Sequence, residues 1–287
     1  MGGKRVMQNR RLSTVRLERY ETWLRTEEKS KATIDKYLRD VGFFRKFVGE
    51  DGVTKEKVLG YKQYLMEQHY APSSINSMLS AVNSFLAHEG WIDCEVKTLR
   101  IQRQVYSPES KELSKEDYVK LVQTARKQGN QRMELLLQTV CCTGIRISEL
   151  QYITVEAVKA GGATVSCKGK SRKIFLITDL RARLMEYVSK RGLESGPIFV
   201  TNRGNPMDRT NIWREMKQLC NEAGVNTEKV TPHNLRHLFA RTFYEEDRDI
   251  AKLADVLGHS SINTTRIYII TTEREHLKCM ENLQLMV

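Results

Sequence analysis

The sequence predicts a mainly α-helical protein with one small β-hairpin, divided into two parts. Apolar residues recur at intervals of three and four over most of the 287 residues, which is the spacing of amphipathic helices. One pair of short β-rich runs, residues 164–167 and 173–177, interrupts this pattern and predicts the hairpin. Residues 93–112 lack apolar periodicity and contain helix-breaking residues, so we expect a linker there.

The first part, residues 11–92, is predicted to form four helices around one core. After Ser30, a residue type that caps helices, the apolar residues Ile34, Leu38 and Val41 follow the spacing of one helix face. Similar patterns predict helices over residues 14–27, over residues 54–68 and from Pro72 onward, with Gly90 at the end of the fourth.

The second part, residues 113–287, is predicted to combine helices with the hairpin. Ser114, followed by Asp117, is typical of a helix start. Thr143-Gly144 ends a helix that precedes a new one near Arg146, and residues 168–172 form a basic hairpin tip. Helices are predicted over residues 131–142, 180–191, 212–223, 235–246 and 250–257.

Composition narrows the class of protein. The chain has 47 Lys and Arg against 35 Asp and Glu, a net charge of +12 that favours a polyanionic partner, although a merely solvated basic surface explains it too. It has no apolar run near the roughly 18 residues needed to cross a bilayer and no export signal, which argues against a membrane protein. Its six cysteines form no C-x-x-C pair, so we expect reduced thiols in a cytoplasm.

Several polar residues of the second part suggest chemistry, but each has an ordinary structural explanation when taken singly. Arg146 lies among apolar residues, where a guanidinium needs an anionic partner, and Glu149 can provide a purely structural ion pair. His233 and Arg236 lie one above the other at a helix start, where a histidine also serves as a cap. Tyr268 would by default be a half-buried core residue.

The combination and order of these residues resemble the tyrosine recombinase family. The run Thr-Gly-Ile-Arg-Ile-Ser-Glu-Leu at residues 143–150 is similar to the family's first box, and His-Asn-Leu-Arg-His-Leu-Phe-Ala at residues 233–240 to its second. Leu-Gly-His-Ser-Ser at residues 257–261, followed by Tyr268, is similar to its third. In outline the chain resembles the short, two-domain, Xer-like integrases. The catalytic residues that the resemblance implies are Arg146, Lys168, His233, Arg236, His259 and Tyr268.

The resemblance also implies a role for each of them. Two guanidinium forks, those of Arg146 and Arg236, match the non-bridging oxygens of a DNA phosphate, which His259 also binds. The hydroxyl of Tyr268, with a pKa of about 10 in free tyrosine, attacks phosphorus and needs its proton removed. His233 serves either as the general base or as a hydrogen-bonding group, Lys168 protonates the departing 5′ oxygen, Glu149 orients the site, and Lys170 contacts a backbone phosphate.

The implied architecture is an N-terminal helical core-binding domain, a linker and a mostly helical, mixed α/β catalytic domain. The implied partners are double-stranded DNA and three further copies of the chain, which form a tetramer on synapsed sites. The tail of residues 271–287 is expected to dock either on a neighbouring copy or on its own domain. A homologous partner recombinase or an accessory DNA-bending protein remains open, and no metal, cofactor or membrane is expected. The sequence does not predict whether recombination serves integration, excision, inversion or dimer resolution.

Two other functions fit parts of the pattern. A type IB topoisomerase would use similar chemistry to nick and reseal DNA without synapsis. A DNA-binding regulator would bind without cutting, but the presence of all six residues argues against it.

Overall fold

The computed structural model describes residues 10–101, 112–167 and 170–269, together with residue 277 and residues 280–282. The chain divides into two compact units, Met1–Arg103 and Gln104–Val287. Each unit has its own apolar core in the described residues. The fold is mainly helical with one two-stranded antiparallel sheet, which confirms the predicted fold class.

Four helices form the first unit, and their apolar stripes form its core. They are α1 (Thr14–Thr26), α2 (Lys31–Val48), α3 (Lys55–Glu67) and α4 (Pro72–His88). The side chains of Ser13, Ser30 and Thr54 each accept a hydrogen bond from a backbone N–H three residues later, so three of the four helices begin at a capping residue. The fourth begins at Pro72, whose missing N–H costs nothing in a first turn.

The first unit extends beyond residue 92, where the sequence predicts the start of a linker. Cys94 and Val96 are buried in the core of this unit. Asn83 exchanges hydrogen bonds with the backbone of Val96 at 2.8 and 3.1 Å, and Asn76 does so with the backbone of Leu99 at 2.8 and 2.7 Å. Side-chain amides thus hold an extended segment that has no apolar periodicity. The remainder of the predicted linker, residues 102–111, lies outside the described residues.

The second unit surrounds its core with helices and the hairpin. The helices are α5 (Lys115–Lys127), α6 (Gln131–Thr143), α7 (Val155–Ala160), α8 (Thr178–Lys190), α9 (Arg209–Ala223), α10 (Pro232–Asp247), α11 (Ile250–Leu257) and α12 (Ile262–Arg266). The strands are β1 (Gly162–Cys167) and β2 (Lys170–Phe175). Ser114 caps α5 as predicted, while the short α7 has too few turns to show a periodic pattern.

The hairpin is tighter than the sequence predicts. Its register runs from Gly162 opposite Phe175 to Cys167 opposite Lys170, so β2 begins three residues before the predicted position. Arg172 therefore belongs to the strand, opposite Val165, and not to the tip. Because alternate strand residues share a face, Arg172 lies on the same side as the buried Ile174. In the sequence, Arg172 could not be distinguished from its basic neighbours, although it lies on the buried face of the strand.

Candidate active site

Arg146 follows a sharp turn at the end of α6. Gly144 ends that helix in the left-handed conformation, at φ 60°. A Cβ added to it would lie 2.4 Å from Cδ1 of Phe239 on α10, so the turn requires glycine for both conformation and space. The chain then passes through the buried Ile145 to Arg146, which precedes a 3-10 helix, Ile147–Tyr152, where the sequence predicts a new helix.

Glu149 is buried and bound by two arginines. Its Oε1 accepts a hydrogen bond from Nη1 of Arg146 at 2.9 Å, and its Oε2 accepts from the backbone N–H of Arg146 at 3.0 Å. Nη2 of Arg172 also donates to Oε2, at 2.6 Å. Burial raises the pKa of Glu149, but the backbone hydrogen bond and the charge of Arg172 outweigh burial and leave the pKa below its usual value. The carboxylate is therefore ionised at neutral pH.

Arg236 lies in the second turn of α10 and is only 2% exposed. Its Nη1 donates to the carbonyl oxygen of Gly144, and its Nη2 donates to the carbonyl oxygen of Leu257 at 2.7 Å. Nη2 also lies 3.0 Å from Nε2 of His259. Burial and the nearby charge of Arg146 lower the pKa of Arg236 to about 10, so it still carries its proton at neutral pH.

His259 follows Gly258, which ends α11 in the left-handed conformation. Its Nδ1 lies 2.9 Å from Oγ1 of Thr265. Burial and the charges of Arg236 and Arg146 lower the pKa of His259 to about 4, so the ring is neutral at pH 7. Because Arg236 has only donors, Nε2 of His259 must accept from it, and the ring proton therefore lies on Nδ1 and is donated to Thr265.

Tyr268 lies in a 3-10 turn, Ile267–Ile269, immediately after α12. It is 7% exposed and packs in a small apolar cluster with Ala240, Leu253 and Leu257. Its ring centroid is 5.2 Å from the ring of His259 and 5.8 Å from the guanidinium carbon of Arg236. The phenol ring thus lies beside the buried cation.

Two histidines of α10 complete the surroundings of Tyr268. The ring of His237 stacks on that of Tyr268, with centroids 4.3 Å apart, and the ring of His233 lies 5.2 Å away. Nε2 of His233 and Nε2 of His237 are 3.1 Å apart. Burial and its neighbour His233 lower the pKa of His237 to about 4. Partial desolvation and the charge of Arg236 lower the pKa of His233, although this residue is exposed.

An open cleft of about 940 Å³ adjoins these residues. Among the residues that line it are Arg146, Arg172, Lys173 and His259, against the two acids Glu149 and Asp255. The excess of cationic groups at the wall makes the cleft suited to an anion.

The structure brings five of the six predicted residues into this region. Arg236 contacts His259, the rings of His233 and His259 flank Tyr268, and Arg146 and His259 line the same cleft. The sixth, Lys168, lies outside the described residues, as does the predicted tail from residue 271 except for residues 277 and 280–282. Sequence reasoning missed Arg172, His237 and Thr265; the spacing of His237, four residues after His233, could have indicated a shared helix face.

In the described part of the chain, no helix is long and apolar enough to cross a membrane. The same residues contain no group of three or more His, Cys, Asp or Glu side chains arranged to hold a metal ion.

Comparison with known sequences places both units in one family. Residues 111–275 match the phage integrase family, and residues 17–89 match the N-terminal SAM-like domain of phage integrases. The chain is 31% identical over 280 residues to tyrosine recombinase XerA of Pyrococcus furiosus, an alignment that covers 95% of this chain and 94% of the relative. It is 29% identical over 237 residues to tyrosine recombinase XerD of Vibrio cholerae, covering 77% and 78% of the two chains.

Solved structures show the same fold. The crystal structure of XerA recombinase is similar with a TM-score of 0.54 and 25% identity, over 95% of this chain and 99% of that one. A lambda integrase dimer bound to a COC′ core site has a TM-score of 0.74 at 19% identity, over 91% of this chain and 96% of that one. In agreement with the order of its arginines, histidines and tyrosine, the chain belongs to the phage integrase family of tyrosine recombinases.

Proposed function

We propose that this recombinase cuts DNA by transesterification, with the hydroxyl oxygen of Tyr268 as the nucleophile. The bond from this oxygen to phosphorus forms as the bond from phosphorus to the 5′ oxygen breaks, so the cut strand stays attached as a 3′-phosphotyrosyl ester. Attack by a 5′-hydroxyl of another strand reverses the step and joins the exchanged strands. The observation that carries this proposal is the enclosure of Tyr268 by a buried arginine and three histidines.

His233 is the group we assign to remove the phenol proton. Its lowered pKa keeps the imidazole neutral at pH 7, with a lone pair that can accept a proton. The hydrogen bond between His233 and His237 fixes the orientation of the ring beside Tyr268. Lys168, which follows β1 in the sequence, supplies a proton to the 5′ oxygen, because an alkoxide leaves poorly near neutral pH. One proton is thus taken up and another released in each cut.

Arg146, Arg236 and His259 are the groups we assign to the scissile phosphate. Two guanidiniums provide planar donors for its non-bridging oxygens, where negative charge grows in the transition state. In the structure, Nε2 of His259 accepts a hydrogen bond from Arg236. An anion beside His259 raises its pKa, so that Nε2 can carry a proton and donate to the phosphate.

DNA contact extends beyond the catalytic residues. We assign DNA binding to the helical domain predicted at residues 11–92 and catalysis to the domain predicted at residues 113–287. The match of residues 17–89 to the N-terminal domain of phage integrases supports this division, and the net charge of +12 on the whole chain supports DNA as the partner. A homotetramer on two synapsed sites is the assembly in which four such active sites exchange four strands.

The test of the nucleophile is covalent trapping on DNA. Wild type and Tyr268→Phe are each incubated, without divalent metal, with a pool of randomised nicked duplexes and then separated under denaturing conditions. We expect a DNA adduct with the wild type only, and sequencing of the trapped duplexes identifies the site. Equal retardation of these duplexes by both proteins in a native gel is the control for folding.

Three results would contradict the proposal. An adduct formed by Tyr268→Phe would exclude Tyr268 as the nucleophile. Binding without an adduct in the wild type would favour a non-cleaving regulator. Relaxation of supercoiled plasmids regardless of sequence, without strand exchange, would favour a topoisomerase.

The tetramer has a separate test. We assign the C-terminal segment to contacts between copies, so removal of residues 275–287 is expected to preserve binding to one half-site and to abolish synapsis. Native gels with one and with two sites measure both properties. Full recombination by the truncated protein would contradict this assignment.

A further inference from the structure

Arg172 connects three elements around the cleft, although the chemistry proposed above gives it no role. It lies in β2, and its Nη2 donates to Oε2 of Glu149 at 2.6 Å. Its Nη1 donates to the carbonyl oxygen of Val256, near the end of α11, also at 2.6 Å. One side chain therefore joins the strand, the carboxylate that holds Arg146, and the helix that precedes His259.

The guanidinium of Arg172 is committed to the protein. The side chain is 11% exposed, and its Nε is buried without a hydrogen-bond partner. Its stem lies against Gly258, where an added Cβ would be 2.3 Å from Cδ of Arg172. Because both terminal nitrogens donate to protein acceptors, Arg172 is placed to orient other groups of the site.

The end of α11 shows why this contact matters. The last carbonyls of a helix have no partner within the helix. Here the carbonyl oxygen of Val256 accepts from Arg172 and that of Leu257 accepts from Arg236, so two arginines fix the turn from which His259 projects. Arg172 also engages Oε2 of Glu149, whose Oε1 binds Arg146.

We propose that Arg172 is a positioning residue that holds Arg146 and His259 in one phosphate-binding geometry. The inference rests on the proposed roles of those two residues. It predicts that loss of the guanidinium slows attack on phosphorus and leaves DNA affinity and the leaving-group step unchanged. Displacement of catalytic groups by about 1 Å costs about 100-fold in rate.

The first experiment compares Arg172→Met and Arg172→Lys with a matched control. Methionine keeps an apolar stem against Gly258 and removes the donors, whereas lysine keeps a charge that can reach one acceptor. The control is Arg181→Met, because Arg181 donates from Nε to the carbonyl oxygen of Val158 at 3.0 Å and so holds the end of α7 in the same manner, outside the cleft. Thermal unfolding and binding to the trapped duplex verify that each variant is folded.

Single-turnover adduct formation at saturating protein is the readout. We expect a loss of about 100-fold for Arg172→Met, an intermediate rate for Arg172→Lys, and the wild-type rate for Arg181→Met. A wild-type rate for Arg172→Met would overturn the inference while leaving the role of Tyr268 intact. An absent adduct in the wild type would instead overturn the proposed function, and the inference with it.

A second substrate separates positioning of the phosphate from an effect on the leaving group. In a duplex with a 5′-bridging phosphorothiolate the leaving atom is sulfur, which departs as a thiolate without a general acid because thiols have a pKa of about 8.5. This substrate should restore the rate of Lys168→Ala and should not restore that of Arg172→Met. Full rescue of Arg172→Met would overturn the inference, since Arg172 would then act through the hairpin that bears Lys168.

Discussion

The two arginines assigned to the phosphate are held in opposite ways. The side chain of Arg146 is 38% exposed and pairs with the carboxylate of Glu149 at 2.9 Å. Arg236 is 2% exposed and donates to the carbonyl oxygens of Gly144 and Leu257. Within residues 10–101, 112–167 and 170–269, no carboxylate forms an ion pair with Arg236.

This difference predicts which part of the proposed site depends on the substrate for its charge balance. A cation buried without an acid is unfavourable, which is why the pKa of Arg236 falls to about 10. In the proposed reaction, the scissile phosphodiester supplies the missing negative charge. The part of the site around Arg146 already has its counter-charge in Glu149, whereas we expect the part around Arg236 to gain one only when DNA binds.

Replacement of each arginine by lysine gives the largest expected effect. Arg236→Lys cannot reach two carbonyl oxygens and a phosphate, so we expect a loss of about 1000-fold in single-turnover adduct formation. Arg146→Lys keeps a point charge at a partly exposed position, and we expect a loss of about 10-fold. Half-site binding serves as the folding control. Equal losses in the two variants would contradict the distinction between these residues.

The pH dependence of stability separates the same two parts of the site. His237 and His259 have folded pKa values of about 4, below the value near 6.5 of an unfolded histidine. As the pH falls, the unfolded chain therefore gains these protons first, and their contribution, complete above about pH 6.5, is lost toward about pH 4. The folded pKa of Glu149 lies below its usual value, so its contribution is lost only as the pH falls below about 4.5.

Urea unfolding across this pH range measures both contributions. His237→Phe keeps a ring against Tyr268 and should reduce the unfolding free energy that is lost between about pH 6.5 and about pH 4. Glu149→Gln should lower the unfolding free energy at neutral pH, because the charges of Arg146 and Arg172 then lose their shared counter-charge. It should also reduce the pH dependence of the unfolding free energy below about pH 4.5. A variant whose unfolding free energy changes with pH as in the wild type would show that the replaced residue does not set the pH dependence of stability.

The longer helices were predictable because each buries a regular apolar stripe, whereas α7 and α12 are too short to show one. Ile34 and Val41 on α2, and Ile75 and Leu79 on α4, lie in the core as their spacing predicts. The segment around Val96 and Leu99 was not predictable in this way, because hydrogen bonds from Asn83 and Asn76 hold its backbone and such bonds leave no periodic trace in a sequence.

The site was predictable as a set of residue types but not as a network. Arg172 is one of several cations between residues 168 and 173, and only the register of the strands shows that it turns inward. His237 and Thr265 contact Tyr268 and His259 respectively, through a stacked ring and one hydrogen bond. Such contacts depend on how α10, α11 and α12 pack, which the order of motifs does not specify.

Replacement of Thr265 has the smallest expected effect, and it tests the part of the site around Arg236. It is fully buried, and its Oγ1 lies 2.9 Å from Nδ1 of His259. Thr265→Val keeps the shape but removes the acceptor that holds the ring proton on Nδ1, so that Nε2 is no longer fixed as the acceptor for Arg236. We expect about 1 kcal/mol of lost stability and a loss of about 10-fold in adduct formation.

Thr139→Val is the matched control, since Thr139 is equally buried and its Oγ1 donates to the carbonyl oxygen of Leu135 within α6 at 2.7 Å. This variant should lose a similar amount of stability and keep the wild-type rate of adduct formation. Thr265→Ser, which retains the hydroxyl, should recover most of the rate. If Thr265→Val and Thr139→Val slowed the reaction equally, the effect would follow stability and not the tautomer of His259, and His259 would not depend on Thr265 for its orientation toward Arg236.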